Sequence, residues 1–114
     1  MFNLEEYKKN MKSGPDHVHL IAHYWDVKGK DFDEKKDAQK AIRRFVKSAR
    51  SLLIISDNDI EKAKENLTVV GEWANNRGLE WTIETVLKKY IEIGTIKQEK
   101  EENLNKIKNA QMER

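Results

Sequence analysis

At 114 residues the chain has room for one domain with its own core and little besides. Hydrophobic residues make up 38% and charged residues 37%; three Trp, three Tyr and three Phe argue against global disorder, while five Gly and one Pro are too few for the turns of an all-β domain. The absence of cysteine excludes disulfides, thiolate metal sites and thiol redox chemistry, and a net charge of +2 from 22 basic and 20 acidic residues says nothing until those charges are located.

The first expected helix covers residues 3 to 12, with Leu4, Tyr7 and Met11 on one side. Ser13-Gly14-Pro15 stops it, because proline disfavours helix at the residue before it. A second helix starts at Asp16. Val18, Ile21, Ala22 and Trp25 recur at helical spacing, with Leu20, Tyr24 and Val27 beside them. Gly29 suits its C-terminal cap. Asp33 is the expected N-cap of a third helix near 34 to 54, whose Ala38, Ala41, Ile42, Phe45, Val46, Ala49, Leu52 and Leu53 make the cleanest apolar stripe of the chain. Ser56 is the expected cap of a fourth helix, with Asp57 and Asp59 at the positive end of its dipole. That helix carries Ile60, Ala63, Leu67, Val70, Trp73 and Ala74, and Gly71 within it either weakens it or admits a neighbour. Asn75-Asn76-Arg77-Gly78 closes it. Thr82 caps a fifth helix bearing Ile83, Val86, Leu87, Tyr90 and Ile91, with a break or kink at Gly94-Thr95. From Lys97 onward only Leu104, Ile107 and Met112 are large and apolar, so this segment is either a solvated extension or a thin contact seam.

The functional signal lies on the third helix. At about 100° per residue, Lys36, Lys40, Arg43, Arg44, Lys47 and Arg50 fall opposite the apolar stripe. From Lys35 to Arg50 there are seven basic residues and one acidic, a segment charge of +6, so the rest of the chain sums to −4. Like charges on one helix face repel, and the usual reason to gather them is an anionic partner. Three readings stand: a nucleic-acid interface, a docking face for an acidic protein, or a solvated face neutralised by acids such as Glu61, Glu65 and Glu72. An anionic membrane fits poorly, because the apolar face is needed for the core.

Other candidates carry less. His17, His19 and His23 cluster, and His19 and His23 share a helix face at a spacing that can ligate one metal. Position 20 is Leu, so the Glu of an H-E-x-x-H zinc motif is missing. These histidines are expected to be surface or capping residues. There is no glycine-rich phosphate loop, no Ser-His-Asp spacing, and no carboxylate pair that stands out from the many present. Trp25 and Trp73 sit in apolar stripes and are expected in the core. Trp81 is expected to staple the start of the fifth helix, near Val86.

The segment Gly78-Leu79-Glu80-Trp81-Thr82-Ile83-Glu84-Thr85-Val86-Leu87-Lys88-Lys89-Tyr90, with Leu20-Ile21-Ala22-His23-Tyr24-Trp25 and the stretch Arg43 to Leu53, resembles small helical domains of uncharacterised phage and mobile-element proteins. The likeness covers residues 18 to 92. It implies a helical fold and, since some such proteins look replication-associated, a nucleic-acid partner. It carries no catalytic signature.

The expectation is therefore an all-α protein: a compact bundle of four to five helices over residues 1 to 95, with a charged C-terminal extension, helical or disordered, over 96 to 114. It is read as a non-catalytic nucleic-acid-binding accessory protein of phage or mobile-element replication or regulation, needing no cofactor and no metal. The alternative is a protein–protein adaptor, including a phage-encoded inhibitor of a host factor, that binds an acidic partner. Homo-oligomerisation through the C-terminal segment is a third option. Met1 to Glu6 lack the apolar stretch of a signal peptide. The longest apolar run, Leu52-Leu53-Ile54-Ile55, is far short of the roughly 20 residues of a membrane span. A cytoplasmic protein without membrane attachment is expected.

Overall fold

The computed structural model describes residues 2–89, and within them the chain forms five helices and no strand. The expectations for Tyr90, Ile91, the Gly94-Thr95 break, the domain boundary at 95 and the extension over 96–114 lie outside the described residues. The all-α bundle is what the apolar periodicity predicts.

Helix α1 (Leu4–Lys12) begins at Asn3, whose Oδ1 accepts the Glu6 N–H at 3.2 Å. Glu5 and Glu6 occupy its first turn and Lys9 and Lys12 its last, each charge favourable to the helix dipole. Met11 is buried, and Leu4 and Tyr7 are partly buried against the same core. Helix α2 (Asp16–Lys28) runs until Gly29, which takes a left-handed φ of 74°. There the N–H groups of Gly29 and Lys30 both donate to the Trp25 carbonyl, at 2.8 and 2.9 Å. A non-glycine residue would be strained at that φ. Five residues of α2, Leu20, Ile21, Ala22, Tyr24 and Trp25, are buried over a broad arc. The breadth follows from position, since α2 packs against α1 and against both of the long helices that follow. Polar contacts hold α1 to it: Lys8 Nζ reaches Asp26 at 2.7 Å and Lys12 Nζ reaches it at 2.5 Å.

Helix α3 (Lys35–Ile55) starts one residue later than expected. Its first carbonyl acceptor is that of Glu34, which takes the N–H groups of Asp37 and Ala38. Asp33 therefore lies outside the first turn, and the N-cap position is Glu34, which makes no side-chain cap bond. Ala38, Phe45, Ala49, Leu52 and Leu53 are buried, with Ala41, Ile42 and Val46 packed at the edge.

Helix α4 (Ile60–Asn76) is capped by Asp59, whose carboxylate accepts from the N–H groups of Glu61 and Lys62. The expected cap, Ser56, instead closes α3 and is buried, where its Oγ accepts from Asn66 Nδ2 at 3.3 Å. The reason is the turn between them. Asp57 and Asn58 both take left-handed backbone, φ 60° and 57°, which moves the cap three residues on. Asp and Asn tolerate that conformation better than most residues.

Of the two later tryptophans, Trp81 is the fully buried one, and Trp73, expected in the core, lies at its edge. Trp73 is 37% exposed and lies under Arg77 and Lys89, with ring distances of 4.6 and 5.3 Å. Trp81 is 1% exposed. It packs across the bundle, because Gly71 leaves room for it on α4: a Cβ at position 71 would lie 2.5 Å from the Trp81 ring and 2.7 Å from Val27. The indole N–H donates to Asn75 Oδ1 at 2.8 Å. Tyr24 sits at the centre of the aromatic core, edge-to-face with Trp81 at 5.2 Å and with Phe45 at 5.4 Å. Helix α5 occupies residues 83–89. Thr82 precedes it as expected, and its N–H donates to Thr85 Oγ1 at 3.0 Å. Ile83 and Val86 are buried.

Candidate nucleic-acid interface

Because α3 turns its stripe of Ala38, Phe45, Ala49 and Leu52 into the core, the residues about half a turn away must face solvent. Lys36, Lys40, Arg43, Arg44, Lys47 and Arg50 are all exposed, and the structure brings the six together on one face. At 3.6 residues per turn they span an arc of about 120°. Their neutralisation by helix α4 is not seen. Glu61 pairs with Lys64 of its own helix at 3.7 Å, and α3 and α4 touch only sparingly. Among the described residues Lys36 pairs with Glu34 at 3.1 Å, whereas Lys40, Arg43, Arg44, Lys47 and Arg50 have no acidic group within ion-pair distance. Arg44 Cζ lies over the ring of the buried Phe45, 5.3 Å from its centroid.

A groove of about 450 Å³ opens beside this face. Lys40, Ala41, Arg44 and Phe45 of α3 form one side; the end of α2, Lys30 and Phe32 form the other, with Glu80 and Thr82 at the rim. Lys28, Lys30, Lys40 and Arg44 contribute four cations against one carboxylate. Lys28 is tied down, since its Nζ bonds to both Glu80 and the Trp81 carbonyl. That ammonium, with its charge, holds the exposed Glu80 carboxyl below the usual carboxylate range. The floor is aromatic. Trp25 and Phe32 lie 4.8 Å apart, and of the four rings lining the groove Phe32 alone is half-buried while Tyr24, Trp25 and Phe45 are buried. The groove leaves almost no mark in the residue order. Its parts lie on four segments, and the one local hint is a pair of lysines flanking the helix-ending glycine at 28 to 30.

The histidines do other work. His23 Nε2 is 2.7 Å from Thr68 Oγ1, a link between α2 and α4. Burial first, then the Lys64 charge, holds His23 below the ordinary imidazole range; burial and Arg50 do the same to His17, and burial and Lys64 to His19. Each is thus harder to protonate folded than unfolded. Stability held above the unfolded imidazole value, about 6.5, should be lost as pH falls through the lower folded values. The melting temperature should therefore drop between pH 7 and 5, and His23→Gln should make that drop shallower. An unchanged pH dependence in the variant would remove His23 from this account. Among the described residues no group of three or more His, Asp or Glu is placed to hold a metal ion, and no helix is long and apolar enough to cross a membrane.

No protein-family model, curated protein or solved structure matches this chain.

Proposed function

We propose that this protein is a non-catalytic nucleic-acid-binding accessory protein that lays the Lys36-to-Arg50 face of α3 against a phosphate backbone. The observation that carries this reading is the set of five exposed cations, Lys40, Arg43, Arg44, Lys47 and Arg50, that lack an ion-pair partner among the described residues. A face of one sign with no internal counter-charge repels itself, and an anionic polymer that displaces its condensed counterions onto solvent offsets that repulsion. The cations stand on a rigid helix whose other side is locked in the core, so they are held in register. A cytoplasmic setting in phage or mobile-element replication or regulation is supported by the resemblance of Leu20 to Trp25, Arg43 to Leu53 and Gly78 to Tyr90 alone.

Salt titration tests the proposal. Six side chains over about 120° cannot all reach phosphates, so about three to five contacts are expected, and the log–log slope should be about −0.9 per contact on duplex and −0.7 on a single strand. A binding isotherm insensitive to salt, or no binding to duplex or single strand at low salt, would end this reading. The acidic-protein adaptor would then take its place.

A further inference from the structure

We infer that the groove beside α3 receives an unpaired base, so that the nucleic acid taken by this face is single-stranded. The inference rests on the proposed nucleic-acid reading and narrows it. A face that only gripped phosphates would need no concavity. Here Lys40 and Arg44 belong at once to the cationic face and to the groove wall, so a strand running along α3 has a nucleotide at the groove mouth. The groove, at about 450 Å³, falls within the range of roughly 300–1,000 Å³ that small-molecule sites occupy, and is larger than a phosphate group requires.

Its chemistry is divided in the manner a nucleotide requires. Lys30, Lys40 and Arg44 have no ion-pair partner among the described residues and suit the phosphate, whereas Glu80, the single carboxylate among the described lining residues, is already held by Lys28. The apolar part is ring-lined, and Phe32 is the aromatic with surface left to offer. Bases stack on such rings without regard to sequence. In a duplex the base faces are already stacked on one another, so this surface would go unused. An acidic peptide would satisfy the cations but brings a planar ring to Phe32 only where it carries an aromatic residue, whereas every nucleotide brings one.

The experiment compares three ligands of about 12 nucleotides, within the site sizes single-strand binders show: a mixed-sequence single strand, its duplex, and an abasic strand with the same phosphates. The full chain is titrated by fluorescence anisotropy. The single strand should bind about tenfold tighter than the abasic strand, the order expected for one stacked base. Phe32→Ala should bring the single strand to the abasic level while changing duplex and abasic binding less than about twofold. Since Phe32 packs on Trp25 and its loss could loosen the loop, Ala41→Met serves as the second variant: it fills the groove from a half-buried helical position with a good helix former and leaves the charge unchanged. Equal binding of the single and abasic strands overturns this inference and leaves the phosphate-binding face standing. So does an unchanged preference in both variants when circular dichroism shows them folded. Loss of binding to all three ligands at low salt overturns both.

Discussion

Replacing Trp81 by alanine should destabilise the domain by about 3–5 kcal/mol, as expected for truncating a fully buried tryptophan. Its ring is 1% exposed, stacks edge-to-face on Tyr24 and fills the space that Gly71 leaves on α4. Truncation empties that space, removes the 5.2 Å stack and deletes the hydrogen bond to Asn75. The complementary change, Gly71→Leu, should be severely destabilising alone, because its Cβ would sit 2.5 Å from a ring that has nowhere to move. Combined with Trp81→Ala the two should be strongly non-additive, since the leucine enters the cavity the indole vacates. Urea denaturation of the four proteins, with slopes compared to check two-state behaviour, measures this cycle. Additive losses, or a loss under about 1 kcal/mol for Trp81→Ala, would mean the ring is not wedged between α2 and α4. The functional consequence is local: Glu80 and Thr82 flank Trp81 and form the groove rim, so its loss should also weaken single-strand binding.

The contrast in burial between Trp73 and Trp81 shows what periodicity reaches and what it does not. A stripe predicts which residues of a helix share a face, and Ala63, Leu67, Val70 and Ala74 of α4 are buried as their spacing requires. Trp73 belongs to the same stripe by spacing, yet it lies at the edge, 37% exposed, with Arg77 and Lys89 over its ring. Trp81 lies outside any stripe, and only the tertiary approach to Gly71 makes it core. Caps follow the same division. Gly29 and Thr82 are read from single residues and stand where expected, whereas Asp33 and Ser56 are plausible caps displaced by turns whose geometry depends on what lies beyond them. The basic face was legible because it is a local property: six side chains on one helix, opposite a stripe that must be buried. The groove was not, because it joins Lys30 and Phe32 to Lys40, Arg44 and Glu80 only once α2 lies along α3 and the chain returns at Trp81.

Reversing Arg43, Arg44 and Lys47 to glutamate should lower affinity for any nucleic acid by two orders of magnitude or more at low salt. Each phosphate-contacting cation removed should take about one unit from the salt slope, so of about three to five contacts no more than about two should remain in the residual dependence. The three residues are exposed, and none forms an ion pair among the described residues, so their reversal breaks no salt bridge seen in the structure. Helicity and melting temperature should therefore stay near those of the parent. Of the three, Arg44 lies over an aromatic ring, that of Phe45, and Arg44→Lys, which keeps the charge but removes the guanidinium plane, separates this contact from the charge. Because charge reversal also changes the long-range field, the control is a triple reversal elsewhere, Lys9, Arg77 and Lys88 to glutamate, which reaches the same net charge without touching α3. That protein should lose only the modest, long-range part of the affinity, most visible at low ionic strength. If the two triple variants weaken binding equally, the protein's overall charge governs attraction and α3 is no interface. If the α3 variant alone fails, and fails equally on unrelated sequences, the contacts are to phosphate, since such contacts position a protein without specifying a base. Of the three, Arg43 and Arg44 should contribute most singly, because a guanidinium fork can hold two phosphate oxygens at once where an ammonium offers a point charge.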